Sequence, residues 1–184
     1  ERIRGLDGSD SYEVARLHAM AGSREDAQKA AERAATLRPG VPRYDLLVAT
    51  LIYLREVENF PGDAEYRNLR ARFDAILEKL PKSMHARRLR AALCIRWAAD
   101  RRDRAQDPTE QFASAEADLD VLRREEDSKS GVYDLFAQLR YGQARYQAVR
   151  GGDPSPAMAE SAEFSRRAMA HDPGDSSTRH NDLV

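Results

Sequence analysis

Between Met84 and Arg104 the sequence MHARRLRAALCIRWAADRRDR gathers seven arginines around Trp97 and Cys94, the only cysteine of the chain. Two chemistries could use such a stretch: guanidinium groups gripping an acidic ligand, or a thiolate favoured by neighbouring positive charge. Flanked by Leu93 and Ile95, Cys94 reads as a small core residue rather than a nucleophile. From Lys82 to Arg104 eight basic residues stand against two acidic ones, whereas from Asp107 to Ser128 eight acidic residues stand against two basic ones. The two stretches neutralise each other, so pairing across a helical hairpin competes with display of a cationic patch. At 100° per residue Arg87, Arg90 and Arg101 share a face with Cys94, and Arg96 falls near Leu89 and Leu93 on the apolar side. A guanidinium buried there requires a carboxylate partner.

Other chemistry is not encoded in a recognisable spacing. The histidines, His18, His85, His171 and His180, form no metal-ligand pattern, and one cysteine excludes a thiolate cluster. Neither glycine-rich phosphate motif is present, and the carboxylates are scattered, so no acid–base pair can be chosen from them. No cofactor and no catalytic residue is expected. The formal net charge of −1 gives no reason to invoke nucleic acid or an anionic membrane as partner. The longest apolar run, Leu46 to Leu54, is about half of what a membrane-spanning helix needs. A lone cysteine fits a reducing, cytoplasmic setting, and the arginine and alanine bias fits a bacterial source. Without an initial methionine the chain reads as a piece of a longer protein.

These residues are positioned by a repeat. Ala27, Ala31 and Ala34 precede Pro39; Leu69, Phe73 and Ile76 precede Pro81; Ala115, Leu119 and Leu122 precede Asp127; Ser161, Ser165 and Ala168 precede Pro173. Offsets of four and three residues place each trio on one helical stripe, and the proline stops the helix just beyond it. The end markers follow one another at intervals of 42, 46 and 46 residues. Gly22, the Pro61–Asp63 segment and the Gly151–Pro156 segment break the two helices of each unit apart. Ser23 with Asp26, and Asp107 to Glu110, have the form of helix-start capping boxes. The pattern predicts helices near 10–21, 23–37, 42–58, 64–80, 83–104, 108–126, 131–150 and 156–171. They form four hairpins (about 10–39, 42–81, 83–127 and 131–173) within one domain over 1–174, with a polar, disordered tail at 175–184.

With Ala15, Gly22, Ala27, Ala34 and Pro39 at matching positions, the first unit resembles the tetratricopeptide repeat; the later units keep the second-helix signature but have longer first helices. The resemblance implies an all-α, right-handed α-α superhelix whose first helices line a concave, protein-binding surface. Tyr12, Tyr44, Tyr53, Trp97, Tyr133, Tyr141 and Tyr146 lie in the expected first helices, where they either pack between helices or line a partly wet groove. The candidate contact residues are Tyr12, Arg16, Tyr53, Arg87, Arg90, Trp97 and Tyr141. One subclass of the family clamps a peptide carboxylate with basic first-helix residues. Arg16 matches that role and Tyr12 does not, so this ligand is not predicted. The expected partner is a protein or peptide, acidic if the arginines face it. The alternative is a dimerising or docking element for a catalytic part outside this chain.

Overall fold

In the computed structural model the residues described are 11–15, 18, 22–56, 62–125 and 130–171. Seven helices follow a helical segment at 11–15: α1 (Arg24–Leu37), α2 (Pro42–Glu56), α3 (Asp63–Lys79), α4 (Met84–Asp103), α5 (Thr109–Glu125), α6 (Ser130–Val149) and α7 (Ser155–His171). No strand occurs among the described residues. Each of these helices begins and ends within two residues of its expected bounds. Arg16, the Ser9 to Asp10 start and the tail from 175 lie outside the described residues. Contacts divide the chain into two compact units, Glu1–Ala86 and Arg87–Val184, with the division in the first turn of α4.

The four stripes are inward-facing within their own units. All twelve of their residues are buried, from Ala27, Ala31 and Ala34 on α1 to Ser161, Ser165 and Ala168 on α7. In the first unit, Ala15, Ala27 and Ala31 pack with Val48 and Leu51 of α2, small side chains letting the helices approach closely. Tyr12 rests against Tyr44 with ring centroids 5.1 Å apart, and the Arg43 guanidinium lies 5.3 and 5.1 Å from the two rings. Tyr66 and Phe73 of α3 are fully buried. In the second unit Phe112 of α5 meets α6 at Gly142, where a Cβ would come within 3.1 Å of the ring. The glycine leaves room for the phenylalanine. Ser161 of α7 keeps its buried hydroxyl satisfied by donating to the carbonyl oxygen of Ala137 at 2.9 Å.

The turns inside the hairpins repeat as well. Three first helices close with a backbone N–H reaching back five residues: Ser23 to His18 at 2.9 Å, Gln106 to Arg101 at 2.8 Å and Gly152 to Gln147 at 2.9 Å. The residue before each donor has positive φ: Gly22 at 80°, Ala105 at 57° and Gly151 at 74°. This is the Schellman ending, and glycine suits it because a Cβ crowds the left-handed backbone. Ala105 occupies the glycine position of its own repeat. Ala105→Gly is therefore expected to stabilise the protein by about 1 kcal/mol, read as a rise in the urea unfolding midpoint, whereas Gly151→Ala should lower it.

The two expected capping boxes differ in outcome. Ser23 makes no side-chain cap bond, and its N–H closes the preceding turn. Asp107 does cap: its carboxylate accepts from the Thr109 hydroxyl at 2.6 Å and the Thr109 N–H at 2.9 Å. Asp153, in the same Asp-Pro-Ser/Thr setting before α7, accepts from the Ser155 N–H at 2.9 Å. Both carboxyls are held below the ordinary aspartate value. For Asp107 the Thr109 hydroxyl contributes most and the Tyr146 hydroxyl adds to it; for Asp153 the Ser155 N–H contributes most.

Candidate functional site

The arginine-rich helix is engaged by its own hairpin. Asp118 of α5 is almost fully buried, and Arg90 of α4 grips it with a two-pronged contact, Nε to Oδ2 and Nη2 to Oδ1, both at 2.7 Å. Arg87 adds Nη1 to Oδ1 at 3.3 Å. Arg101 of the same face donates from Nε to the backbone carbonyl of Asp107 at 2.9 Å. The opposite charges of the two helices therefore meet side by side, and Arg87 and Arg90 point into the hairpin. Cys94 is fully buried, as its apolar neighbours require.

Arg96 is placed differently from the helical-wheel expectation. It is 45% exposed in its side chain and lies 3.5 Å from Asp100, rather than buried on the apolar side. The reason is that α4 is packed over most of its circumference, with Ala91, Leu93, Ile95, Trp97 and Ala98 all buried. A helix covered so broadly has no single apolar centre from which an outward angle can be measured. Trp97, only 3% exposed, is part of this packing.

Among the uncovered residues of the first helices one row of positions, the first-helix strip, recurs. On α2 it runs through Arg43, Leu46, Thr50 and Tyr53; on α4 through His85, Arg88, Ala92 and Ala99; on α6 through Gly131, Asp134, Gln138, Tyr141 and Arg145. All are half-buried or exposed, and they match position for position at the intervals of 42 and 46 residues that separate the proline markers. Tyr53 and Tyr141 occupy the same place in their repeats. In the repeat between them that place is Ile95, buried, and Arg96 beside it takes the outward position.

The strip is polar and partly preorganised. On α6 the Gln138 amide donates to Asp134 at 2.7 Å, and the Arg145 guanidinium lies 5.9 Å from the Tyr141 ring centroid. Within the first unit Thr50 Oγ1 lies 3.5 Å from Nε2 of His85. The hydroxyl and imidazole in the first unit, and the amide and guanidinium in the second, can each hydrogen-bond a peptide backbone or its acidic side chains. No group of three or more metal-ligating side chains is found among the described residues.

Of the residues singled out from sequence, Tyr53 and Tyr141 lie on the strip. Tyr12 is half-buried against Tyr44; Arg87, Arg90 and Trp97 face the packed side; and Arg16 is outside the described residues. Arg43, Thr50, Gln138 and Arg145 are not among them, and Arg96 is expected on the apolar side. A signal for them existed, since the intervals drawn from the second helices also place the first-helix strip. Nor do the tyrosines sort cleanly: Tyr66 sits in a second helix and Phe136 in a first one, both buried.

With this geometry, the chain can be compared with solved structures. It superposes on MamA 41-end from Desulfovibrio magneticus RS-1 with a TM-score of 0.60 at 14% identity, covering 95% of this chain and 80% of that one. The MamA RS-1 ArsTM double mutant gives the same figures. The fold is tetratricopeptide-like. At that identity the likeness concerns the helical architecture alone. No family model matches the chain, and no curated protein matches its sequence. Among the described residues no helix is long and apolar enough to cross a membrane.

Proposed function

We propose that this chain is a non-catalytic protein-interaction module that holds an extended peptide, or a segment of a neighbouring domain, on the open first-helix positions that recur within each of its units. The observation that carries this reading is the recurrence of the strip. Matching positions stay open in successive repeats, and most of them carry polar or aromatic side chains, with Leu46, Ala92 and Ala99 as the apolar members. A purely structural array has no need to preserve such a row. The contacts assigned to it are Tyr53 in the first unit and Arg96, Gln138, Tyr141 and Arg145 in the second. Arg87, Arg90 and Trp97, named from sequence as contacts, act in this reading by holding α4 in place. A cytoplasmic, bacterial parent protein is part of the same proposal.

The test is selection of binding peptides from a random displayed library, followed by affinity measurements on variants. Tyr141→Ala and Arg145→Glu should each weaken a selected peptide about tenfold or more, the range of an interface residue that matters. Glu125→Gln, an exposed change at the end of α5, should leave it unaltered. Peptides whose affinity ignores both strip substitutions would sink the assignment.

A further inference from the structure

The last described helix keeps one face open, and the repeat shows what that face is for. At the 46-residue interval, Met158, Ala162 and Met169 of α7 stand where Phe112, Glu116 and Arg123 stand in α5. Each of those α5 residues reaches α6, the first helix of the following hairpin. The Phe112 ring packs at Gly142 and lies 6.4 Å from the Tyr146 ring; Glu116 takes a bond from Arg140 at 2.6 Å; and the Arg123 guanidinium lies 5.3 Å from the Phe136 ring. In the first unit the position equivalent to Ala162 is Gln28, which accepts from Arg55 of α2 at 2.7 Å. These are stacking positions. On α7 Met158 is 38% exposed, Ala162 is exposed and Met169 is half-buried, and exposed Ala159 and Ala170 widen the strip.

We propose that this face of α7 is the interface for a second copy of the chain, with the two α7 helices crossing antiparallel about a two-fold axis. Such an axis requires a patch complementary to itself. The open face meets that condition with Glu163 on one side of the helix centre and Arg166 on the other, whereas Glu160 and His171 face α6, where they meet Arg140 at 2.7 Å and stack on Tyr133. A crossing near Phe164 sets Glu163 against Arg166 of the other copy and Ala159 against Ala170, with alanines where close approach is needed. Glu163 already attracts Arg166 at 2.8 Å and Arg167 at 2.9 Å within one chain, and the exposed guanidinium of Arg166 has donors left for a second carboxylate. Residues 172–184 do not repeat the stripe, since Leu183 and Val184 are their only large apolar side chains and they are adjacent in sequence. The interface is separate from the first-helix strip and does not depend on peptide binding there.

Sedimentation velocity on the full 184-residue chain over a roughly hundredfold concentration range tests this. The expected result is a monomer–dimer equilibrium that Ala162→Glu weakens about tenfold or more. Glu163→Arg and Arg166→Glu should each weaken it, and the double reversal should restore it, because only a self-pairing helix regains both contacts. Ala162 and Arg166 are exposed and Glu163 is half-buried, and an unchanged thermal melt confirms that each of the four variants is folded. A chain that stays monomeric throughout overturns the proposal. So does a dimer indifferent to Ala162→Glu, or one that the double reversal fails to restore.

Discussion

Replacing Asp118 with alanine should destabilise the protein by about 3–5 kcal/mol, the range seen when one partner of a buried ion pair is removed. The carboxylate is 2% exposed and is the meeting point of Arg90 and Arg87, whose side chains are 23% and 20% exposed. Without it, two guanidiniums at the α4–α5 seam lose the carboxylate they share, and a cavity replaces it. Asp118→Asn keeps the shape and one acceptor and should cost less. The reverse truncation, Arg90→Ala, leaves a buried negative charge with only the longer Arg87 contact, and it should cost nearly as much as Asp118→Ala. Replacing both partners with leucine and methionine should recover part of the loss, since it removes the uncompensated charge. Urea unfolding of the four variants, followed by circular dichroism, measures each step. If Asp118→Ala costs less than about 1 kcal/mol, the pair behaves as an ordinary surface bridge and does not lock the hairpin.

Phe136→Ala should be comparably severe, again about 3–5 kcal/mol, by a different mechanism. Phe136 is 1% exposed and belongs to α6, yet it serves three helices. Its ring stacks on Phe164 of α7 at 4.8 Å, and the Arg123 guanidinium of α5 lies over it. Truncation opens a void that cannot close without moving α5 or α7. It also removes an aromatic pair worth about 0.5–1.5 kcal/mol beyond its buried area. Phe164→Ala should cost less, because that ring is only half-buried and its loss can be filled in part by water. Equal costs for the two would show that α7 is held by its small-residue stripe, through Ser161 and Ala168, rather than by the aromatic stack. The same urea titrations read both results, and an unchanged denaturant slope would confirm that the native state, not the unfolded one, was altered.

Much of the architecture was legible in the chain because it rests on local rules. Helical periodicity put Ala27, Leu69, Leu119 and Ser161 on inward stripes, and prolines and glycines ended the helices where a missing N–H or a positive φ demanded it. The charge balance between Lys82–Arg104 and Asp107–Ser128 announced that these helices would lie together. Which arginine met which carboxylate was not legible, because it depends on rotation and register of two helices, set by side chains from several elements at once. Asp118 could not be told from the seven other acids of its stretch until burial distinguished it.

The candidate surface divides in the same way. Tyr53 and Tyr141 could be named from sequence, being large, amphipathic and in first helices. Arg96 was assigned inward and Trp97 outward, and the structure has them the other way. A wheel drawn on α4 finds an average apolar direction, whereas the real helix is covered on several sides by neighbours whose positions come from elsewhere in the chain. The sequence by itself determined the helices, their pairing into hairpins and the period at which they repeat, since hydrophobic spacing and backbone stereochemistry act within a few residues. The tertiary structure alone decided which residues were left open between the repeats, because exposure is what remains after every neighbouring helix has taken its place.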